Sequence, residues 1–551
     1  MKSLSFRWSL VLLVILLPSF AAAQSFDEKF EHWPTDLKIS GRILLCGGNT
    51  IPTEVFEYVR QFQKRTESES MLIRVEDDNG NQRNEIQDRL EIDGLMEKTL
   101  SLADAESALK TLNGLTAVKI LWIDAAKSLD EKFKPIMSQL IEKANQGVAD
   151  GGLLVLSGSI VESAGSLQTS GFLNFVKTKV GFGLYPDCLI RSNYDDARDR
   201  KSILSTLAAF PRAVGIGIES DSAILLNRRK IRVLGDGQAT FLLMANTQKP
   251  IRIQQVRQAK LMRNNPYETT IDLTAWRRDA MDRTLPAFPP SKPLSPYVEK
   301  GTLIIVGGGG MPRGLMNQMV EMAGGSEARM VYVPCSEADE VSSQQRIVKS
   351  WIDMGVKSAT FIHTKDRNKA NSDDEFLEPL KNATGIWFGG GRQWNFADSY
   401  YGTQAHQLMK QVLQRGGVIG GSSAGASVQA RYMCRANPVA NFDIMAPGYE
   451  RGLGFIGGVA IDQHFSQRRR QKDMTQLVNR YPQLLGIGID EATAIIVRQS
   501  KADVIGRGKV HFYDRNRPVI PGEDDFIALQ AGQSFDLAKR AILEESTGEK
   551  E

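Results

Sequence analysis

Residues 301–312 read GTLIIVGGGGMP, and the fold turns on this stretch. A short, unbroken apolar run ending in glycines describes a strand buried on both faces and closed by a tight turn. The proline that follows suits the first turn of a helix. The same order stands at 41–52, GRILLCGGNTIP. Further along, AVGIGIESDSAILL (213–226) is matched by LLGIGIDEATAIIV (484–497). Between these lie smaller matches, VKILWIDAAK with TGIWFGGGRQ and DGGLLVLSGS with RGGVIGGSSA. The helix before each GIGI strand repeats its apolar face: Ile203, Leu207 and Phe210 parallel Met474, Val478 and Tyr481. Ordered self-similarity over such distances predicts an internal duplication.

Two related domains are therefore expected, at about 40–245 and 298–545. Apolar strands alternating with helices predict α/β domains built on parallel sheets covered on both faces, with sites at the carboxyl ends of the strands. The stretch 246–297, basic in IRIQQVRQAKLMRNN and proline-rich in LPAFPPSKPLSP, is expected to be a linker.

A chain of 551 residues with 42% hydrophobic and 24% charged residues has enough apolar content for two cored domains. Its formal net charge of +4 gives no electrostatic footprint for nucleic acid. At the N-terminus Lys2 and Arg7 precede or flank WSLVLLVILL, followed by PSFAAAQ. A basic flank, a short apolar core and small residues predict a signal peptide over 1–23 and an exported protein, with no membrane attachment after cleavage. The spacing of Cys46, Cys188, Cys335 and Cys434 matches no metal or redox motif, and no bridge is assigned. No metal or cofactor is implied.

In the second copy, GGVIGGSSAGASV contains Gly421-Ser422-Ser423-Ala424-Gly425. A serine in a sharp strand-to-helix turn presents its hydroxyl above the sheet, and small neighbours avoid clashes there. The N–H of Ala424 could help bind an oxyanion, with Gly390 or Gly391 of FGGGRQWNF supplying a second donor. Taken alone, such a turn can equally hold a phosphate or simply turn the chain. A nucleophilic serine needs a base. Of the five histidines, His464 in AIDQHFSQRRRQ sits at a strand end among Asp462, Gln463 and Arg468.

The motifs GGSSAGA, GGGRQ, GGVAIDQHFSQRRR and GIGIDEATA closely resemble those of the cyanophycinases, serine peptidases related to aspartyl dipeptidase. The resemblance spans 300–540, including the closing LQAGQSFDLAKR. It implies a flavodoxin-like sheet, also seen in class I glutamine amidotransferases. It implies Ser423 as nucleophile and His464 as base, with Gln393, Asp462, Gln463, Arg468 and Arg470 in the substrate pocket. The family's substrate, cyanophycin, has a polyaspartate backbone bearing arginine on each side chain, and its cleavage releases β-aspartyl-arginine. An arginine pocket suits the carboxylates of such linkages. The chain departs from the family pattern at Ser422 for threonine, Arg469 for glycine and Asp473 for a third arginine. The acid that would orient the base is open among Asp443, Glu450 and Glu491.

Aligned on the repeat, the first copy has Asn193 opposite His464 and Gly158 opposite Ser423, so it is expected to be inactive. Family members pair as dimers, and the two copies could pair likewise within one chain, or the chain could form a homodimer. The expected function is that of an exported peptidase cleaving the aspartyl backbone of a cyanophycin-like polymer. The alternatives are a hydrolase of another isoaspartyl or aspartyl peptide, or a non-catalytic binding protein.

Overall fold

The computed structural model describes residues 41–544 other than 49, 67–69, 77–84, 91–95, 102–118, 126–138, 140–141, 143–145, 147–150, 171–176 and 260–268. The expected signal peptide, 1–23, lies outside the described residues. The first half supplies β1 (Arg42–Cys46), β2 (Ser70–Glu76), β3 (Met96–Ser101), β4 (Ile120–Ala125), β5 (Leu153–Gly158), β6 (Gly165–Ser170), β7 (Lys177–Val180), β8 (Tyr185–Arg191), β9 (Val214–Ile218), β10 (Ser222–Asn227), β11 (Lys230–Gly235), β12 (Gln238–Leu243), β13 (Arg252–Arg257) and β14 (Thr270–Asp272). The second supplies β15 (Val298–Val306), β16 (Arg329–Val333), β17 (Ser358–Phe361), β18 (Gly385–Phe388), β19 (Val418–Ser422), β20 (Ala430–Met433), β21 (Ile456–Gln463), β22 (Leu485–Ile489), β23 (Thr493–Gln499), β24 (Lys501–Gly506), β25 (Lys509–Tyr513), β26 (Ile527–Gln530), β27 (Ser534–Asp536) and β28 (Ala541–Leu543).

The halves share a strand order. One large sheet runs β3-β2-β4-β5-β1-β10-β11-β14, the other β17-β16-β18-β19-β15-β23-β24-β27-β28. In both, the segment that ends on β1 or β15 is parallel. The wing beyond it is antiparallel, so the sheets are parallel only in part. Each half adds a smaller mixed sheet, β7-β6-β8-β9-β12-β13 and β20-β21-β22-β25-β26. The architecture is mixed α/β.

The apolar runs explain the layering. In β15, Leu303 and Ile305 enter one core cluster while Ile304 and Val306 enter another. In β1, Ile43 and Leu45 divide from Leu44 and Cys46 in the same way. Successive strand residues point to opposite faces, so a continuous apolar run buries both sides of its sheet. Each such aliphatic side chain contributes about 1.5–3 kcal/mol. All four cysteines are free thiols.

The expected linker over 246–297 is corrected by the structure. Among its described residues, β13 edges the smaller sheet and β14 edges the large one; in the second half β26 edges the smaller sheet and β28, beyond β27, edges the large one. The helix Leu273–Asp282 that follows is buried along most of its length. Its charges meet partners rather than water. Arg278 Nε donates to Gly448 O at 3.0 Å, and Arg451 Nε donates to Asp282 Oδ1 at 2.6 Å. Lys249 Nζ reaches Glu450 Oε2 at 3.1 Å. The two halves thus pack directly on one another. Basic composition resembled a solvated linker because these ion pairs join residues far apart in sequence.

Candidate active site

The second half brings the carboxyl ends of β15, β19, β21 and β22 to one place, where its two sheets meet. The chain leaving β19 must turn in very little space. A methyl group on Gly421 would lie 2.3 Å from Gly425 O, and one on Gly425 would lie 2.1 Å from Phe388 O. Small residues are therefore obligatory around Ser423. Ser423 adopts φ 57°, ψ −111°, a strained conformation for a residue with a side chain. Its N–H donates to Val306 O at 3.0 Å, and its carbonyl accepts from Ala426 and Ser427 as the short helix Ala424–Ser427 begins. The hydroxyl is thereby raised above the sheet.

His464 follows β21 with φ 49°, and its N–H donates to Gly307 O at 2.7 Å. Its Nε2 lies 3.0 Å from Ser423 Oγ. Its Nδ1 lies 2.6 Å from Glu491 Oε1, just past the end of β22. An ionised carboxylate only accepts, so the proton sits on Nδ1 and Nε2 is left to accept from the serine. Burial lowers the His464 pKa below its ordinary 6.5; Arg468 and Arg470 lower it too, while Glu491 opposes them. The neutral, base-competent imidazole is favoured.

The glycine run that opened the sequence reading has a further use here. A methyl group on Gly308 would lie 2.4 Å from His464 Cε1, and one on Gly309 would lie 2.4 Å from Glu491 Cδ. These two glycines make room for His464 and Glu491. A methyl group on Gly390 would lie 3.6 Å from Ser423 Cβ, whereas Gly391 packs on Cys335 instead. Among the described residues, neither the Ala424 N–H nor the Gly390 N–H has an acceptor. Both can serve an anion formed beside Ser423.

The remaining candidates separate by burial. Gln393 is buried and donates from Nε2 to Cys434 O. Asp462 is fully buried; both its oxygens accept from Arg435 Nε at 2.9 Å, and Oδ1 also accepts from Arg470 Nη1 at 2.9 Å. Arg470 Nη1 also donates to Gln463 Oε1 at 3.2 Å. Asp462, Gln463 and Arg470 are thus engaged with each other and with Arg435 beside His464. Arg468 is exposed beside His464. Asp473, standing where the resembling family has arginine, accepts from Arg435 Nη2 at 2.7 Å.

Two acids are also corrected. Asp443 is exposed and bonds Asn437 at 3.1 Å. Glu450 is buried between the halves with Lys249 and Tyr432, because its segment turns toward that junction. Neither reaches His464. Arg435 was missed by the sequence reading, and no local pattern signals it. Gly308 and Gly309 were read only as a turn.

The first half keeps the backbone of the site. Gly158 has φ 75°, ψ −149°, and Asn193 has φ 46° with its N–H on Gly47 O. Where the second half has glycines after β18, the first has Asp124 at the end of β4. It accepts from Ser157 Oγ, which in turn accepts from Trp122 Nε1 at 2.9 Å.

Comparison with known proteins aligns with this half. Residues 303–505 match the model of peptidase family S51. The cyanophycinase of Geminocystis herdmanii (strain PCC 6308) is 28% identical over 226 residues, covering 40% of this chain and 83% of that protein. That of Trichormus variabilis (strain ATCC 29413 / PCC 7937) is 25% identical over 272 residues, 45% of this chain and 90% of that protein. That of Synechococcus elongatus is 29% identical over 223 residues, 39% of this chain and 68% of that protein. Among solved structures, a peptidase from an acI-B1 Actinobacterium has a TM-score of 0.34 at 24% identity, over 44% of this chain and 98% of that one. A candidate peptidase E protein from Listeria monocytogenes EGD-e has a TM-score of 0.28 at 15% identity, over 38% of this chain and 99% of that one.

Proposed function

We propose that the chain is, through its second half, a serine-type peptidase of the cyanophycinase-like family S51, that it is exported, and that it hydrolyses an aspartyl peptide backbone of the cyanophycin kind by Ser423 and His464. The observation that carries the reading is the relay in which Ser423 Oγ, His464 and Glu491 lie in sequence at 3.0 and 2.6 Å.

His464 Nε2 takes the Ser423 proton as Oγ attacks the scissile carbonyl. Glu491 keeps the imidazole in the required tautomer and stabilises its protonated form. The Ala424 and Gly390 N–H groups stabilise the oxyanion. The imidazolium then protonates the leaving amine, and water enters by the same base to release the acyl group. The exposed guanidinium of Arg468 pairs with a substrate carboxylate, which suits a chain of aspartyl residues. Export rests on the basic, apolar and small-residue order of residues 1–23.

A second substrate reading, another isoaspartyl peptide, is favoured by one observation: Asp473 is paired with Arg435 where the resembling family has a third arginine. Incubation with insoluble cyanophycin and with short β-aspartyl-arginine peptides separates the two. Release of β-aspartyl-arginine from the polymer supports the first, and turnover of short peptides alone supports the second. Ser423→Ala is expected to abolish both activities and labelling by a fluorophosphonate. Full turnover in that variant overturns the mechanism.

A further inference from the structure

The first half has lost the relay, yet it sends Arg229 to the helix that follows the Gly390 turn. At the turn between β10 and β11, Arg229 is buried. On its own side Arg229 Nη2 donates to Asp272 Oδ1 at 2.9 Å. Across the junction Nη1 donates to Asp398 Oδ2 at 2.7 Å and Nη2 to Tyr449 Oη at 2.6 Å. Its guanidinium also lies 4.3 Å from the centre of the Trp394 ring. Asp398 and Trp394 belong to the helix Trp394–Tyr400, buried throughout. That helix continues directly from the turn carrying Gly390, and its first N–H groups bond back to Arg392 O and Gln393 O.

The internal repeat supplies a control. The equivalent turn of the second half is Gln499-Ser500. Gln499 has φ 53°, as Arg228 does. Leu273 N–H donates to Arg229 O and Leu537 N–H to Ser500 O, both at 2.8 Å. Lys230 pairs in register with Asp272, and Lys501 with Asp536. The backbone is repeated in detail, and the arginine stands only in the half that lacks the relay.

Resting on the peptidase reading above, we propose that Arg229 is a positioning residue for the reaction in the other half: it anchors the helix Trp394–Tyr400 and so holds the Gly390 turn where the oxyanion forms. The first half is then a non-catalytic partner built into the chain. A guanidinium suits this role because it makes parallel bonds and stacks on an aromatic ring at once. Loss of the anchor moves the buried helix as a unit, and a small displacement of an oxyanion donor is felt in kcat rather than in substrate binding.

The test uses the full chain, with the rate of Ser423 labelling by a fluorophosphonate and the steady-state constants for a β-aspartyl peptide. Arg229→Met keeps a second cation on Asp398, since Arg278 Nη1 lies 3.4 Å from it. We expect labelling and kcat about tenfold slower with KM little changed, and Arg229→Lys in between. The double variant Arg229→Met/Asp398→Asn removes the opposed charges together. Positioning requires it to stay slow even where its thermal stability matches the parent. A folded double variant at the parent rate overturns the proposal. A parent protein that is not labelled at all overturns the peptidase reading itself, a result distinct from unequal or equal rates among labelled variants.

Discussion

His464 Nδ1 and Glu491 Oε1 lie 2.6 Å apart, and the N–H of Glu491 is itself held by Gln467 Oε1 at 2.9 Å. The acid is thus fixed at its backbone while its carboxylate fixes the imidazole. Glu491→Gln preserves the shape but can offer its amide N–H to Nδ1, which favours the wrong tautomer. Turnover should fall by about 10²–10⁴-fold with little change in KM. Asp443→Asn, on an exposed side chain away from the relay, should leave the constants unchanged. Steady-state kinetics of the two variants checks the assignment.

The depressed His464 pKa fixes the sign of the pH dependence. In the proposed mechanism His464 acts only when neutral, so the acid limb of kcat/KM should fall below the ordinary histidine value of 6.5. Glu491 raises that pKa, so Glu491→Gln should move the limb further toward acid. For stability, a depressed histidine pKa makes a contribution that is present above 6.5 and lost as pH falls through the folded value. An NMR titration of His464 in the Ser423→Ala variant reads the value directly.

Gly308→Ala should separate stability from catalysis. Gly308 has φ 94°, and the added methyl group would lie 2.4 Å from the imidazole. Backbone strain should cost about 1–3 kcal/mol, measurable by denaturant unfolding. The displaced base should lower turnover by about 10²-fold or more.

Arg468 and Arg470 should respond differently although they are two residues apart. Exposed Arg468→Ala should raise KM for an acidic peptide by about tenfold, the loss of one charge-assisted contact, with unfolding unchanged. Buried Arg470→Ala should instead destabilise the protein by about 2–4 kcal/mol, because it removes a partner of Asp462. Kinetics and chemical denaturation together distinguish them.

Arg469 occupies a position with φ 55°, ψ 48° at the end of a short helical turn. Left-handed backbone costs a residue with a side chain about 1–2 kcal/mol, and glycine loses part of that gain to unfolded-chain entropy. Arg469→Gly should therefore raise stability by about 0.5–1 kcal/mol, seen as a higher denaturant midpoint. The glycine usual in the resembling family has this conformation as its reason.

Much of the fold was legible because it is written locally. Apolar runs such as TLIIV (302–306), glycine turns and their repetition need no knowledge of distant contacts. Ser423 and His464 were legible for a related reason: each occupies a positive-φ turn at a strand end, and the surrounding small or specific residues mark that turn in the chain. The antiparallel wings were not separable from the parallel strands, since both are buried and apolar.

By itself the sequence determined the repeat, the strand-and-turn framework and the serine–histidine pair, because local backbone geometry and burial period dictate residue type. The tertiary structure alone decided which acid contacts His464, since Asp443, Glu450 and Glu491 differ only in where the folded chain carries them. It also decided that Asp462 pairs with Arg435 and Arg470 and that β13 and β14, inside the expected linker, edge the sheets of the first half. The contact of Arg229 with Asp398, 169 residues away, has no local signature. Charged side chains look alike in sequence whether they meet water or each other, and only packing distinguishes the two.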